Sequence, residues 1–166
     1  IPADTIKYVI DVANKKNIPV LWNFAPAREF DLSYIPKVNI LVLNEVEAGF
    51  LAQMPVASEA DAEKAAGKLI ESGVEKVIIT LGSQGAFVVT KDEKVSVPAF
   101  TVDAVDTTAA GDTFCGAYAV ANVEGKSPEE ALRFASAAAA ISVTRMGAQP
   151  SAPSRMEIDA FLEKNK

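Results

Sequence analysis

Asp106-Thr107-Thr108-Ala109-Ala110-Gly111-Asp112-Thr113-Phe114-Cys115-Gly116-Ala117 leads from an extended approach into a long apolar segment of helical character. A helix start leaves backbone N–H groups without partners and carries the positive end of the helix dipole, so an anion is welcome there. The small side chains of Ala109, Ala110 and Gly111 let a phosphate approach those amides closely. Asp112 then stands beside the bound anion, an arrangement that makes sense if its carboxylate has a task. Taken alone, the stretch is read equally well as an ordinary helix start with an acidic first turn, worth about 0.3–1 kcal/mol.

The rest of the chain supplies a frame for this step. Residues 3–16 put Ile6, Val9, Ile10 and Ala13 on one helical face, with Asp4 and Thr5 at the start and Asn17 past the end. Residues 19–23 read as a short apolar strand and 24–36 as a loop. Residues 40–43 are a buried-type strand running into Asn44-Glu45-Val46-Glu47, the opening of a short helix that ends near Met54-Pro55. A helix over 58–72 has Ser58 and Asp61 to cap it and Gly73 to end it. The third strand, 77–81, enters the turn Gly82-Ser83-Gln84-Gly85, and 86–90 with 95–97 form a hairpin around 91–94. Residues 98–105 are extended and lead into the opening stretch, whose helix runs to about residue 123. Ser127-Pro128-Glu129-Glu130 starts an alanine-rich helix to about residue 144. A loop over 145–153 and an amphipathic helix over 154–163 complete the chain.

Helices alternating with buried strands predict an α/β fold with a mostly parallel sheet. A parallel sheet needs a strand ahead of its first helix, and none precedes residue 3. The chain is therefore expected to be a fragment of a longer protein, one domain or part of one. Ligands in such sheets collect beyond the carboxyl ends of the strands. Asn44, Gly82 and residues 109–112 each follow an extended stretch, so all three are expected to line one edge.

Composition narrows the chemistry. The 166 residues are 49% hydrophobic and 23% charged, which suits a globular protein with a core of its own. The net charge of −6, without a Lys/Arg-rich block, argues against nucleic acid as a partner. No apolar run has the length of about 20 residues that crosses a membrane. The single Cys115 cannot form an internal disulfide, which fits a reducing, cytoplasmic setting. There is no histidine, which removes Ser-His-Asp and Cys-His schemes and any His-ligated metal centre. Carboxylates, hydroxyls, backbone amides and hard cations remain.

The pattern Asp106-Thr107-x-x-Ala110-Gly111-Asp112 resembles the C-terminal signature of the ribokinase and phosphofructokinase-B superfamily of carbohydrate kinases. Asn44-x-x-Glu47, Gly82-Ser83-x-Gly85 and Gly147-Ala148-Gln149-Pro150-Ser151 agree with it in order, and the similarity runs over essentially the whole chain. Asn23-x-Ala25-Pro26-Ala27-Arg28 and the alanine-rich helix resemble the ribose-phosphorylating branch. The resemblance implies a three-layer, Rossmann-like α/β fold with helices on both faces of the sheet. Residues 1–166 would be the C-terminal, ATP-binding and catalytic part of a single kinase domain. The family's N-terminal part, with most sugar contacts and a β-stranded lid through which relatives often form dimers, is expected to lie outside this stretch. The implied reaction is ATP-dependent phosphorylation of a sugar hydroxyl, D-ribose to D-ribose 5-phosphate. A fructokinase, a nucleoside kinase, or a nucleotide-binding module inactive as a fragment are the alternatives.

The resemblance also implies residue roles. Asp112 matches the catalytic base, in contact with substrate, and Ala109, Ala110 and Gly111 with the amide of Asp112 match an anion hole. Glu47 matches a residue that supports Mg²⁺ through water, and Asn44 lies beside the phosphates; a capped helix with an exposed Glu is the plain alternative. The nucleotide would run along Thr80, Leu81, Gly82, Ser83, Gln84 and Gly85, although hairpin turns use glycine freely. Ser136 matches a position near the adenine, where tight Ala/Ser helix packing is the alternative. Asp106, the carbonyls of Thr108, Ser142, Arg145 and Gly147, and the Ser151 hydroxyl match a site for K⁺, with the Arg145 side chain serving the helix end. Cys115 is expected to be a small buried hydrophobe.

Overall fold

A computed structural model of the chain describes residues 1–166. Its centre is a pair of parallel strands, β2 (Ile40–Asn44) and β3 (Lys76–Thr80). Ile40, Leu41, Val42 and Leu43 are all buried, as are Val77, Ile78 and Ile79. Successive strand residues point to opposite faces, so a continuous apolar run means that both faces are covered. With β1 (Leu21–Asn23), β4 (Ala86–Val89) and β5 (Lys94–Val97) the strands form one sheet in the order β1-β2-β3-β4-β5. β1 runs parallel to β2, pairing Leu21 with Ile40, and β2 pairs Ile40 with Lys76 and Asn44 with Thr80. Segments 81–85 and 90–93 are too short for the crossover that a parallel neighbour requires, so β3, β4 and β5 form a meander. The architecture is the expected α/β fold with a mostly parallel sheet.

The chain divides into two compact units, residues 1–81 with 87–94, and residues 82–86 with 95–166. The first contains α1 (Ala3–Lys15), α2 (Glu45–Ala52) and α3 (Glu59–Glu71). Leu41, Leu43, Val77, Ile79 and Phe87 share one hydrophobic cluster with Ala48, Leu51, Ala62, Ala65 and Leu69 of the two later helices. Ser58 caps α3, accepting from the Asp61 N–H at 3.2 Å. Asn17 adopts the left-handed conformation just past α1, as suits an asparagine there.

The second unit holds α4 (Ala110–Val123), α5 (Pro128–Val143) and α6 (Arg155–Lys164), with α5 packed against both others. The alanines of α5 let a neighbouring helix approach its backbone: Ala131, Ala135, Ala137 and Ala138 are buried, as are Phe114 and Tyr118, stacked along α4. Ser127 and Glu130 cap α5 reciprocally.

Two sequence expectations are corrected here. Val9 is 55% exposed, whereas Ile10 is buried. Ile6, Ile10 and Ala13 repeat at the helical period and Val9 lies on the border of that face. The loop expected over 24–36 contains a 3-10 helix, Leu32–Lys37, started by the Asp31 side chain accepting from the Ser33 N–H. A short 3-10 turn has no 3.6-residue apolar repeat to announce it.

Gly85 adopts φ +107°, and a Cβ there would stand 2.1 Å from the Val97 carbonyl oxygen and 2.8 Å from the Ala99 nitrogen. Gly82, at φ +55°, has nothing within 4 Å of a Cβ. Gly85→Ala is expected to lower stability by about 3 kcal/mol or more, through overlap and strain together. Gly82→Ala is expected to cost about 1 kcal/mol, the left-handed penalty alone. Urea denaturation of the two variants checks the difference.

Candidate active site

α4 begins without a side-chain cap. Its N-cap residue is Ala109, at φ 61° and ψ 11°, a left-handed conformation that costs an alanine about 1–2 kcal/mol. Strain of this kind persists only where surrounding contacts enforce it, and it gathers at functional positions. The Ala110 N–H turns back to the Thr107 carbonyl at 3.2 Å, and the Thr113 N–H donates to the Ala109 carbonyl at 2.9 Å. The Gly111 and Asp112 amides lie between these two, in the first turn. Of the three amides expected to form the anion hole, Ala110 is therefore already engaged, and Gly111 and Asp112 are the pair left to receive an anion. The Asp112 side chain is exposed beside them.

The contacts that hold Ala109 converge on Asp106. Its Oδ1 accepts from the Thr108 N–H and its Oδ2 from the Gly147 N–H, both at 2.9 Å. The N–H groups of Val105 and Asp106 both donate to the Val143 carbonyl at the end of α5, at 2.7 and 3.1 Å. Hydrogen bonds from the Thr108 side chain and from the two amides hold the Asp106 carboxyl below its ordinary range. Asp106, Thr108, Ser142, Arg145 and Gly147, expected to share a cation site, are thus brought together by the loops at the end of α5 and the start of α4.

The donor set fits a monovalent cation. Asp106 is ionised, and carbonyls at a helix end retain lone pairs and the negative dipole. Ser151 is buried and spends its hydroxyl proton on the Ala148 carbonyl at 2.7 Å, which leaves its oxygen lone pairs available. Ser142 is 0% exposed and its Oγ has no partner, while its carbonyl accepts from the Arg145 N–H at 3.0 Å. The Arg145 side chain departs from expectation. It does not serve the end of α5; it reaches Glu157 at the start of α6, at 2.6 Å. A carboxylate attracts a guanidinium more strongly than carbonyls carrying only partial charge.

In the first unit, Asn44 ends β2 and caps α2. Its Oδ1 accepts from the Glu47 N–H at 2.9 Å, and Glu47 Oε2 accepts from the Asn44 N–H at 2.9 Å, a complete capping box. Glu47 is 5% exposed, not the exposed acid of an ordinary capped helix. Burial pushes its carboxyl up, partly offset by the Asn44 N–H. No group of three or more His, Cys, Asp or Glu side chains is gathered for a metal. A single carboxylate fits Mg²⁺, which keeps several waters and takes its other ligands from phosphate.

The β2–β3 register sets Asn44 opposite Thr80, whose hydroxyl donates to the Leu43 carbonyl at 3.3 Å. Leu81 is buried; Gly82, Ser83 and Gln84 form an exposed 3-10 turn closed by the Gly85 N–H on the Gly82 carbonyl. Gly85 is buried against the backbone after β5, so its place in the chain has a packing reason of its own. Ser136 is half-buried on α5, and Cys115 is half-buried, not fully buried as expected. Sequence reading passed over Glu157, although Ser154-x-x-Glu157 carries the spacing of a capping box.

In this chain of α/β fold, α4 thus starts without a side-chain cap and carries the Asp112 carboxylate on its first turn. Residues 1–155 match the pfkB family of carbohydrate kinases. The chain belongs to that family. It is 44% identical over 162 residues to a ribokinase of Haemophilus influenzae, covering 98% of this chain and 53% of that protein. It is 41% identical over 164 residues to a deoxyribokinase of Salmonella typhi, covering 98% and 54%. Among solved structures, the ribokinase of Arabidopsis thaliana complexed with ribose and ATP superposes with a TM-score of 0.92 at 36% identity, covering 98% of this chain and 53% of that one. The chain spans about half the length of the curated relatives it matches.

Two outcomes follow from strain and burial at these positions. Glu47→Gln keeps a capping acceptor but removes a carboxyl whose burial disfavours charge. A raised folded pKa is a penalty that begins above the unfolded value, about pH 4.3. The variant should match the wild type below that pH and exceed it in stability at pH 7, measured by urea titration, while binding Mg·ADP more weakly. Ala109→Gly should raise stability by about 1 kcal/mol by relieving the left-handed alanine, yet weaken nucleotide binding as the loop gains freedom. Thermal unfolding and calorimetric titration of the same variant check both halves.

Proposed function

We propose that this chain is the ATP-binding and catalytic part of one carbohydrate kinase domain that phosphorylates D-ribose at its 5-hydroxyl. The observation that carries this reading is the start of α4. A strained Ala109 is followed by two amides without backbone partners and by an exposed Asp112, in a chain of the carbohydrate kinase family. Ribose is favoured because ribokinases lead the relatives, and one of them is seen with ribose and ATP.

In this reading the sugar hydroxyl oxygen attacks the γ-phosphorus of ATP. An O–P bond forms as the bond to the bridging oxygen of ADP breaks, and the hydroxyl proton passes to Asp112. Phosphoryl transfer has a loose transition state, so positioning and charge stabilisation do most of the catalytic work. The Gly111 and Asp112 amides receive the negative charge of the transferring group; such donors are worth about 2.7–4 kcal/mol each in other enzymes. Asn44, Thr80, Leu81, Ser136 and residues 82–85 contact the nucleotide. Glu47 would hold Mg²⁺ through water, and Mg²⁺ would neutralise phosphate charge. Asp106, the carbonyls of Thr108, Ser142, Arg145 and Gly147, and the Ser151 hydroxyl would hold K⁺, which would brace the loop without touching sugar. The family's sugar contacts lie mostly outside this stretch, so the 166 residues alone are expected to bind nucleotide without turning over sugar.

The test joins the chain to the half that its relatives possess and measures ADP release with ribose, 2-deoxyribose, fructose and adenosine. Ribose should show the highest kcat/KM; a clear preference for 2-deoxyribose would move the assignment toward the deoxyribokinase relatives. Asp112→Ala should lower kcat by about 10²–10⁴ while the KM for ATP stays within a few fold. Undiminished turnover by that variant would refute Asp112 as the base. Sugar-dependent ADP release from the 166-residue chain alone would refute the expected division of labour.

A further inference from the structure

Glu157 has no part in the chemistry proposed above, yet its carboxylate links α6 to the loop that shapes the start of α4. Its Oε2 accepts from the Ser154 N–H at 2.7 Å and from the Ser154 hydroxyl at 2.8 Å, which closes the capping box of α6. Its Oε1 accepts from the Arg145 guanidinium at 2.6 Å. Arg145 lies on the turn that leaves α5, where its N–H donates to the Ser142 carbonyl at 3.0 Å. Two residues on, Gly147 sits at φ 86° and donates its N–H to Asp106 Oδ2. Asp106 Oδ1 holds the Thr108 N–H, and the next residue is the left-handed Ala109.

We propose that Glu157 is a positioning residue for the anion-binding start of α4, acting through Arg145 and the Asp106–Gly147 hydrogen bond. The capping box fixes the Glu157 side chain before it meets Arg145, so one partner brings little rotamer freedom to lose. The planar guanidinium loses less freedom per hydrogen bond than an ammonium would. With Arg145 held, the turn over 145–147 keeps the Gly147 amide on Asp106. Asp106 then keeps Thr108 in place, and Ala109 cannot relax from φ 61° to an ordinary conformation. Relaxation there would turn the Gly111 and Asp112 amides away from a common anion. A half-exposed ion pair adds little to global stability. The effect therefore belongs in local order, not in the melting temperature.

This inference rests on the phosphate-binding reading of α4 for its purpose, but its geometry is tested separately. Amide hydrogen exchange is followed by NMR on the 166-residue chain. Glu157→Gln retains the capping acceptor and removes the charge that Arg145 meets. The Gly147 and Thr108 amides should exchange at least about fivefold faster, while the Leu132 and Ala135 amides inside α5 change by less than about twofold. Arg145→Met should reproduce this pattern, and Arg145→Lys should recover part of the protection. Asp159→Asn, which disturbs the separate Arg155 pair, should leave both amides unaltered. Unchanged Gly147 and Thr108 exchange in Glu157→Gln and Arg145→Met would overturn the proposal. So would acceleration spread evenly through α5 and α6, the mark of general loosening. Calorimetric titration with ADP is read alongside. Binding by the wild type that weakens several-fold in Glu157→Gln supports the full relay, whereas failure of the wild type to bind ADP would count against the nucleotide reading and leave the exchange result to decide the coupling.

Discussion

One carboxylate holds together the loops at the start of α4 and the end of α5. Asp106 spends one oxygen on its own loop, at Thr108, and the other on Gly147, a residue 41 positions later in the chain. The backbone beside it is fixed as well, since the Val105 and Asp106 amides share the Val143 carbonyl. Four hydrogen bonds thus tie the end of one helix to the start of another. A flexible loop could not hold an alanine in the left-handed region; an over-determined loop can. The conformation of Ala109, and hence the direction of the first amides of α4, depends on this bracket.

Three features of the structure are unfavourable by themselves, and each falls on or beside a residue of the candidate site. Glu47 is a buried carboxyl whose burial works against its charge. Ala109 occupies a conformation that suits glycine. Ser142 keeps a fully buried hydroxyl without a partner. Elsewhere most of the chain follows ordinary rules, with Gln53 at φ 51° past α2 an exception: Ser58, Ser127 and Ser154 cap their helices, and lysines meet acids at the surface. Local departures from otherwise consistent design are a feature that functional sites commonly share.

The extended neighbourhood of the bracket shows how ordinary helix chemistry can be put to a second use. Glu157 is the reciprocal partner that a capping box requires, and the hydrogen bonds from Ser154, with Arg145 beside them, hold its carboxyl down to about 2. It therefore stays ionised at any ordinary pH. The same carboxylate that starts α6 anchors the turn leaving α5. Asn44 and Glu47 repeat the economy at α2, where a capping box also presents a buried acid at the end of a strand.

Features set by neighbours in sequence were legible before any coordinates. Apolar runs at 40–43 and 77–79, the small-residue stretch before Asp112, the alanine series of α5 and the serine caps each declare themselves through side-chain type and period, because strand burial, amide access and capping act within a few residues. The capping pair Asn44 and Glu47 and the turn from Asp106 into α4 were legible for the same reason, because they stand at fixed short spacings. What the tertiary structure alone decided depends on groups far apart in the chain. That Gly85 is demanded by the backbone at Val97 and Ala99, that Glu47 is buried, and that Arg145 turns to Glu157 could not be read from residue types. Each is settled by which atoms folding brings within hydrogen-bonding or van der Waals distance, and sequence spacing carries no record of that.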